Sequence, residues 1–254
     1  MPGTIGKGRI IVALDVFSLA EADHLVEQLS PYVGLFKVGL QLITAEGAPR
    51  IVDFIHQRKS RVFFDGKFCD IPNTIGKASK AVSELKACMF NVHASCGVAA
   101  MKAAVANRGW SQVLAVTVLT SLEENEANLI FGQPSKAKVI QMAQWAKMAG
   151  VQGIICSPKE LMLLKARPEL IDLDFVTPGI RPEWAAKGDQ ARVTTPFKAV
   201  KAGVEYMVIG RPITQPPKEI GSPVEAAQKI IEEIQTAEKE LGIKPEDDVI
   251  PKIN

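Results

Sequence analysis

The sequence predicts an α/β protein: a closed (β/α)8 TIM barrel, one domain over residues 1–254. Three observations predict it. Eight short apolar segments, each suited to a buried strand, alternate with segments of helical apolar spacing. The length of 254 residues suits such a barrel, which typically takes roughly 250. Polar residues gather at the C-terminal ends of the apolar segments, where a barrel carries its chemistry. An open doubly wound sheet is the rival. No Gly-x-Gly-x-x-Gly follows the first strand, which weakens its dinucleotide-binding form.

Residues 1–8 are Gly-rich and read as a loose N-terminus. Residues 9–14 form the first strand and run into Asp15. Ser18 caps a helix through Leu29, with Glu21 three residues on as the partner in a capping box. Residues 35–38 are the second strand, carrying Lys37, and a helix follows over 48–58. The third strand is 62–64; Pro72 ends the extended run, and helical spacing starts at Ile75 and continues to 85. Strand 89–92 and helix 98–107 come next, then strand 112–118, ending in a Leu119-Thr120-Ser121 turn. A polar insertion with a short helix spans 122–132, and a long amphipathic helix 135–149. Strand 153–156, helix 158–165 and strand 174–176 precede a loop, 177–195, rich in Gly, Pro and charge. Helix 196–201 and strand 206–209 complete the alternation. Gly210-Arg211-Pro212-Ile213-Thr214 then opens the way to a final helix, 223–241, and 242–254 is a polar, peripheral tail.

Composition narrows the function. Hydrophobic residues make up 47%, enough for a sizeable core. The formal net charge is +2 with basic residues dispersed, which argues against a nucleic-acid surface. The four cysteines show no Cys-x-x-Cys, and the three histidines no His-Glu-x-x-His, so no zinc site is expected. With no signal-peptide pattern and no apolar run of spanning length, the expectation is a cytoplasmic protein with reduced thiols and no membrane association.

Residues 62–74 concentrate the chemistry. Three apolar residues are followed by Asp65, Lys67 and Asp70 within six positions. Asp65 and Lys67 are two apart and share a face while the chain stays extended. Any single charge there reads more readily as a solvated loop residue, but the whole stretch, acid alternating with base, suits a cation held between carboxylates. Other polar residues fall at strand ends: Asp15, Lys37, Thr120, Arg181 and Gln190 in the loop after strand seven, and Gly210 with Arg211 after strand eight. Phosphate sites of barrels favour the loops after strands seven and eight. Gly210 permits close approach of a ligand, a helix start favours an anion, and Arg211 can clamp it in two places.

The run Asp65-x-Lys67-x-x-Asp70-Ile71-Pro72-Asn73-Thr74 resembles the catalytic signature of the orotidine 5'-phosphate decarboxylase family. Asp15, Lys37, Thr177-Pro-Gly-Ile-Arg-Pro182, Gly188-Asp-Gln-x-Arg192, Thr195-Pro196 and Gly210-Arg-Pro-Ile213 occur in the family's order, so the resemblance spans nearly the whole chain. It implies a cofactor-free, homodimeric barrel that converts orotidine 5'-phosphate to UMP and CO2, the last step of UMP synthesis. It implies that Lys67 is the proton donor within an array of Lys37, Asp65, Lys67 and Asp70. It also implies that Asp70, Ile71 and Thr74 reach the neighbouring subunit's site, that Asp15 and Lys37 hold the ribose, and that Thr120 lies by the pyrimidine. Gln190, Arg211, the Gly210 backbone and Arg181 belong to the phosphate end. Gly66, Cys69 and Cys96 depart from the usual pattern, where a larger apolar residue, a histidine and a glycine are common.

Two other readings share part of this pattern. Metal-dependent phosphosugar decarboxylases or synthases also carry Asp-x-Lys-x-x-Asp, and insensitivity to EDTA separates them. A non-catalytic binder of a phosphorylated ribose would keep Arg211 and need no intact array.

Overall fold

A computed structural model describes residues 5–185 and 194–244. Eight parallel strands close into a barrel in sequence order, and the last strand pairs with the first. They are β1 (Ile10–Ala13), β2 (Leu35–Gly39), β3 (Val62–Phe68), β4 (Met89–His93), β5 (Gln112–Val116), β6 (Gly153–Ile155), β7 (Asp174–Thr177) and β8 (Tyr206–Ile209). Helices α1 (Leu19–Leu29), α2 (Leu40–Glu46), α3 (Ala48–Gln57), α4 (Pro72–Glu84), α5 (Val98–Ala106), α6 (Glu124–Phe131) and α7 (Ser135–Ala149) alternate with the first six strands. Then α8 (Pro158–Lys165), α9 (Pro196–Lys201), α10 (Arg211–Thr214) and α11 (Pro223–Glu240) complete the ring. Among the described residues no helix is long and apolar enough to cross a membrane.

Strand parity explains both the core and the site. Successive side chains of a strand point to opposite sides. Phe36, Val38, Phe64, Phe90, Val92, Val113 and Ala115 face outward and join one large buried cluster with helix residues such as Leu25, Ile55 and Met101. The other parity faces the barrel axis: Ile11, Leu35, Phe63, Met89, Leu114, Val176 and Tyr206 form a separate apolar plug. Two residues further along each strand, that inward parity carries Lys37, Asp65 and Asn91. Strands buried on both sides therefore read as near-continuous apolar runs. The plug fills the lower barrel, as expected for a packed core and not a pore.

Several expected boundaries shift, each for a physical reason. The N-terminus is not loose over its described part. Gly6–Arg9 forms a 3-10 turn, the Gly6 N–H donates to Glu238 Oε1 at 2.8 Å, and Arg9 Nε donates to the same oxygen at 2.6 Å. Arg9 Nη1 also donates to the Val204 carbonyl, so this buried pair ties β1 to the strand-eight approach and α11. At the other end, the Ile243 N–H donates to the Glu238 carbonyl, while residues 245–254 lie outside the described residues.

The short helix α2 escaped the sequence pattern because only one of its residues, Leu42, is buried. Its Glu46 accepts the Leu19 N–H at 3.1 Å. Ser18 Oγ accepts from the Glu21 N–H, so the expected cap is present, but Glu46 of α2 satisfies another of the free N–H groups at the start of α1. Helix α4 starts at Pro72 and not at Ile75: a proline suits the first helical position, where its missing N–H costs nothing. Arg211–Thr214 forms a single turn of its own, while α11 begins at Pro223, as expected.

Candidate active site

Strand β3 does not stop at Phe64 but runs to Phe68, so Asp65 and Lys67 lie within it. It pairs with β4 as Phe64↔Phe90 and then Phe68↔Val92, so β3 holds extra residues in a bulge. Lys67 sits in the bulge at φ 47°, a left-handed conformation that costs a non-glycine residue about 1–2 kcal/mol. Gly66 is explained by the same bulge. A Cβ there would lie 2.6 Å from the Phe64 ring and 3.0 Å from the Phe68 ring, so aromatic rings fill the space of the expected apolar side chain. Phe64, Phe68 and Phe90 pack in series, each ring tilted against the next, with successive centroids 6.0 Å apart.

Inside the barrel mouth the charges form a chain. Lys37 Nζ lies 3.1 Å from Asp15 Oδ1 and 3.1 Å from Asp65 Oδ2. Lys67 Nζ donates to Asp65 Oδ1 at 2.7 Å. The same oxygen accepts from Asn91 Nδ2 at 2.6 Å. Burial works against the charged form of both Lys37 and Asp65, yet the neighbouring opposite charges win. The Lys37 pKa is raised, held up by Asp65 and Asp15. The Asp65 pKa is lowered, held down by Lys37 and Lys67. Half-buried His93, also of inward parity, is pushed down by burial and by the charge of Lys67, which favours the neutral imidazole.

Asp15, Lys37, Asp65 and Lys67 line one cleft of about 920 Å³ at the C-terminal mouth of the barrel. Asp15, Lys37, Asp65, Lys67, Thr120, Arg181, Gly210 and Arg211 all face it, so most of the sequence-derived site converges. The floor is apolar, from Ala13, Phe63, Val116, Ile155 and Val208.

One side of the cleft carries Arg181 and Arg211. Arg181 is buried and donates through Nη1 to the Ile180 carbonyl at 2.8 Å. Its pKa is lowered by burial and by the charge of Arg211, so the two guanidiniums face a common region. The Arg181 N–H donates to the Thr194 carbonyl, and Ile180 bridges Thr194, which pins the two ends of the loop after β7 together. Gln190 lies outside the described residues, as does the rest of the span 186–193 in the loop after β7. A Cβ at Gly210 would meet nothing closer than 3.6 Å, so the protein's own packing does not demand the glycine. Helix α10 spends its Ile213 and Thr214 N–H groups on the Gly210 carbonyl, so its dipole is that of a single turn and the arginines dominate the positive field.

Asp70, Ile71 and Thr74 are the exception. All are exposed, and Ile71 is 65% accessible. Asp70 Oδ1 accepts its neighbour's Ile71 N–H at 2.6 Å, and none of the three lines the cleft of this chain. The array within one chain is therefore Asp15–Lys37–Asp65–Lys67, without Asp70. Asn91 was missed by the sequence reading, because one asparagine in an apolar strand carries no spacing signal. Its inward parity, shared with Met89 and His93, was the available hint.

Comparison with known proteins agrees with this geometry. The profile of the Orotidine 5'-phosphate decarboxylase / HUMPS family matches residues 8–230. The chain belongs to that family. It is 44% identical over 243 residues to the orotidine 5'-phosphate decarboxylase of Moorella thermoacetica, covering 90% of this chain and 93% of that one. It is also 44% identical over 241 residues to the orotidine 5'-phosphate decarboxylase of Syntrophomonas wolfei, covering 89% and 98%. The crystal structure of orotidine 5'-phosphate decarboxylase from Lactobacillus acidophilus superposes with a TM-score of 0.75 at 31% identity, over 89% of this chain and 98% of that one. The barrel expected from the sequence, and the decarboxylase family expected from its motifs, are both borne out.

Proposed function

We propose that this chain decarboxylates orotidine 5'-phosphate to UMP and CO2 in pyrimidine synthesis, without a cofactor, with Lys67 as the proton donor. The observation that carries the reading is the buried Asp65 carboxylate. It holds two ammoniums, Lys37 and Lys67, at the mouth of a cleft that is also lined by two arginines. Arg181 and Arg211 suit the phosphate, Asp15 and Lys37 the ribose hydroxyls, and Thr120 with the apolar floor the pyrimidine.

In this mechanism the bond from C6 to the carboxyl carbon breaks, CO2 leaves, and the electron pair stays on C6. The Lys67 ammonium stabilises that pair as it develops and then transfers its proton to C6. Asp65 holds the Lys67 side chain in place and aimed. Repulsion between Asp65 and the substrate carboxylate is a weaker candidate. At about 4 Å and an effective dielectric near 20 it amounts to about 4 kcal/mol, against the roughly 8–23 kcal/mol by which enzymes commonly lower barriers. Asp65 is also already engaged by Lys37, Lys67 and Asn91, which reduces the charge it presents. Stabilisation by Lys67, supported by binding energy at the remote phosphate, carries the larger share.

Exposed Asp70, Ile71 and Thr74 support a homodimer in which each chain completes its partner's site. The family description also names HUMPS beside the decarboxylase. The names of the 44%-identical relatives favour the pyrimidine reaction.

The test is loss of orotidine 5'-phosphate absorbance on adding purified protein, with and without EDTA, for wild type and Lys67→Ala. EDTA-insensitive conversion that Lys67→Ala abolishes while still binding UMP is expected. Near-normal turnover by Lys67→Ala removes Lys67 from its role, and EDTA-sensitive chemistry points to the metal-dependent relatives.

A further inference from the structure

Asn91 lies on β4, fully buried, and does not line the cleft. Both ends of its amide are used. Its Oδ1 accepts the Lys67 backbone N–H at 2.7 Å. Its Nδ2 donates to Asp65 Oδ1 at 2.6 Å, the same oxygen that accepts the Lys67 ammonium. Only one orientation of the amide serves both neighbours, since a backbone N–H needs an acceptor and a carboxylate needs a donor. An ionised carboxylate or an apolar side chain of similar size cannot do both at once.

The position of these bonds matters. The bulge in β3 leaves the Lys67 N–H without a partner in the strand ladder, and Lys67 adopts φ 47°. A buried N–H without an acceptor is costly, and a left-handed lysine persists only when its surroundings over-determine it. Asn91 supplies the acceptor. With its other end it fixes the carboxylate on which the Lys67 ammonium rests. One side chain therefore sets both the root and the tip of Lys67.

We propose that Asn91 is a positioning residue for the reaction: a two-ended clamp that holds the Lys67 backbone in the bulge and aims the Asp65–Lys67 pair into the cleft. This rests on the decarboxylase reading for its effect on rate, but the clamp itself is a property of the fold. Because Asn91 does not itself line the cleft and bonds only Asp65 and Lys67 of its wall, its removal changes the placement of Lys67 and leaves the phosphate end as it is. A misplacement of about 1 Å costs on the order of 100-fold in rate.

The experiment compares wild type with Asn91→Leu, which keeps the branched shape and removes both bonds, and Asn91→Ala, which relieves any crowding from the leucine. Four quantities are read: kcat and KM for orotidine 5'-phosphate, the affinity for UMP, and hydrogen exchange of the Lys67 amide. The expected result is a fall in kcat of about 100-fold, UMP affinity within about threefold of wild type (under 1 kcal/mol), and faster exchange at Lys67. A merely structural role would lower UMP affinity in step with kcat, and that result overturns the proposal. So does a kcat near that of wild type in either folded variant, or unchanged protection of the Lys67 amide. A wild-type protein that binds UMP without turning over orotidine 5'-phosphate overturns the decarboxylase reading instead. The exchange measurement then still decides the clamp.

Discussion

Replacing Asp65 by asparagine removes one charge and almost no volume, and the structure says what that charge holds. The side chains of Asp65 and Lys37 are 8% and 11% exposed, so this pair is largely out of water. At about 3 Å and an effective dielectric near 20 the gross attraction is about 5 kcal/mol. Desolvation offsets much of it while the pair is intact. Removing one partner exposes the full cost, because the other charge stays buried; such losses run to about 3–5 kcal/mol. Lys37 keeps Asp15 at 3.1 Å, but that carboxylate is 59% exposed and compensates only in part. Lys67 is 33% exposed and regains water, so its share stays below about 1 kcal/mol. The new amide also points a donor at one of the two ammoniums. The expected loss is about 3 kcal/mol at neutral pH, or a fall of about 1 M in the urea midpoint for an m-value near 3 kcal/mol/M.

The pH dependence sharpens this test. Asp65 has a folded-state pKa below its ordinary value of 3.8. Its contribution is therefore present above that value and is lost as pH falls through the folded-state pKa. Wild type and Asp65→Asn should differ most near neutrality and converge in strong acid, where the wild-type carboxyl is itself neutral. Urea melts across that range read the difference directly. A loss below about 1 kcal/mol at neutral pH, or a difference independent of pH, would refute the reasoning that ionised Asp65 holds the array.

Other expectations concern the rest of the cleft. Arg211→Ala should lower kcat/KM by about 10- to 100-fold, the worth of charge-assisted hydrogen bonds to one phosphate, and unchanged steady-state kinetics would remove Arg211 from the phosphate end. In Gly39→Ala the new Cβ would lie 3.0 Å from Lys37 Nζ, so a loss of roughly tenfold in kcat/KM is expected from the displaced ammonium, and wild-type kinetics would show that Lys37 has room to spare. Mixing inactive Lys67→Ala with inactive Asp70→Ala should restore part of the activity, because a mixed dimer assembles one site with both residues intact; no recovery after subunit exchange would argue that Asp70 serves its own chain.

The legible part of this protein was the part written in local order. Strand residues buried on both faces must be apolar, so strands such as Tyr206–Ile209 stood out between helical segments. Helices whose ends carry a capping serine or an N-terminal proline, such as Pro158–Lys165 and Pro196–Lys201, were bounded correctly for the same reason. Charges at strand ends marked the mouth, since a barrel interior two residues below them is packed with Phe63 and Leu35. Less legible were features whose partner lies far along the chain. Glu238 is just one more glutamate of an amphipathic helix until Arg9 and Gly6 reach it.

By itself the sequence determined the barrel class, the order of its strands and the residue types of the cleft, because alternation, length and apolar runs are properties of the chain read locally. Only the tertiary structure decided how the charges are shared. It put Asp65 between two lysines, left Asp70 on the surface of its own chain, and brought Asn91 across from the next strand to hold a bulged, left-handed Lys67. The reason is that a bulge and its hydrogen bonds depend on register between neighbouring strands, and register is a relation between segments that no single segment encodes.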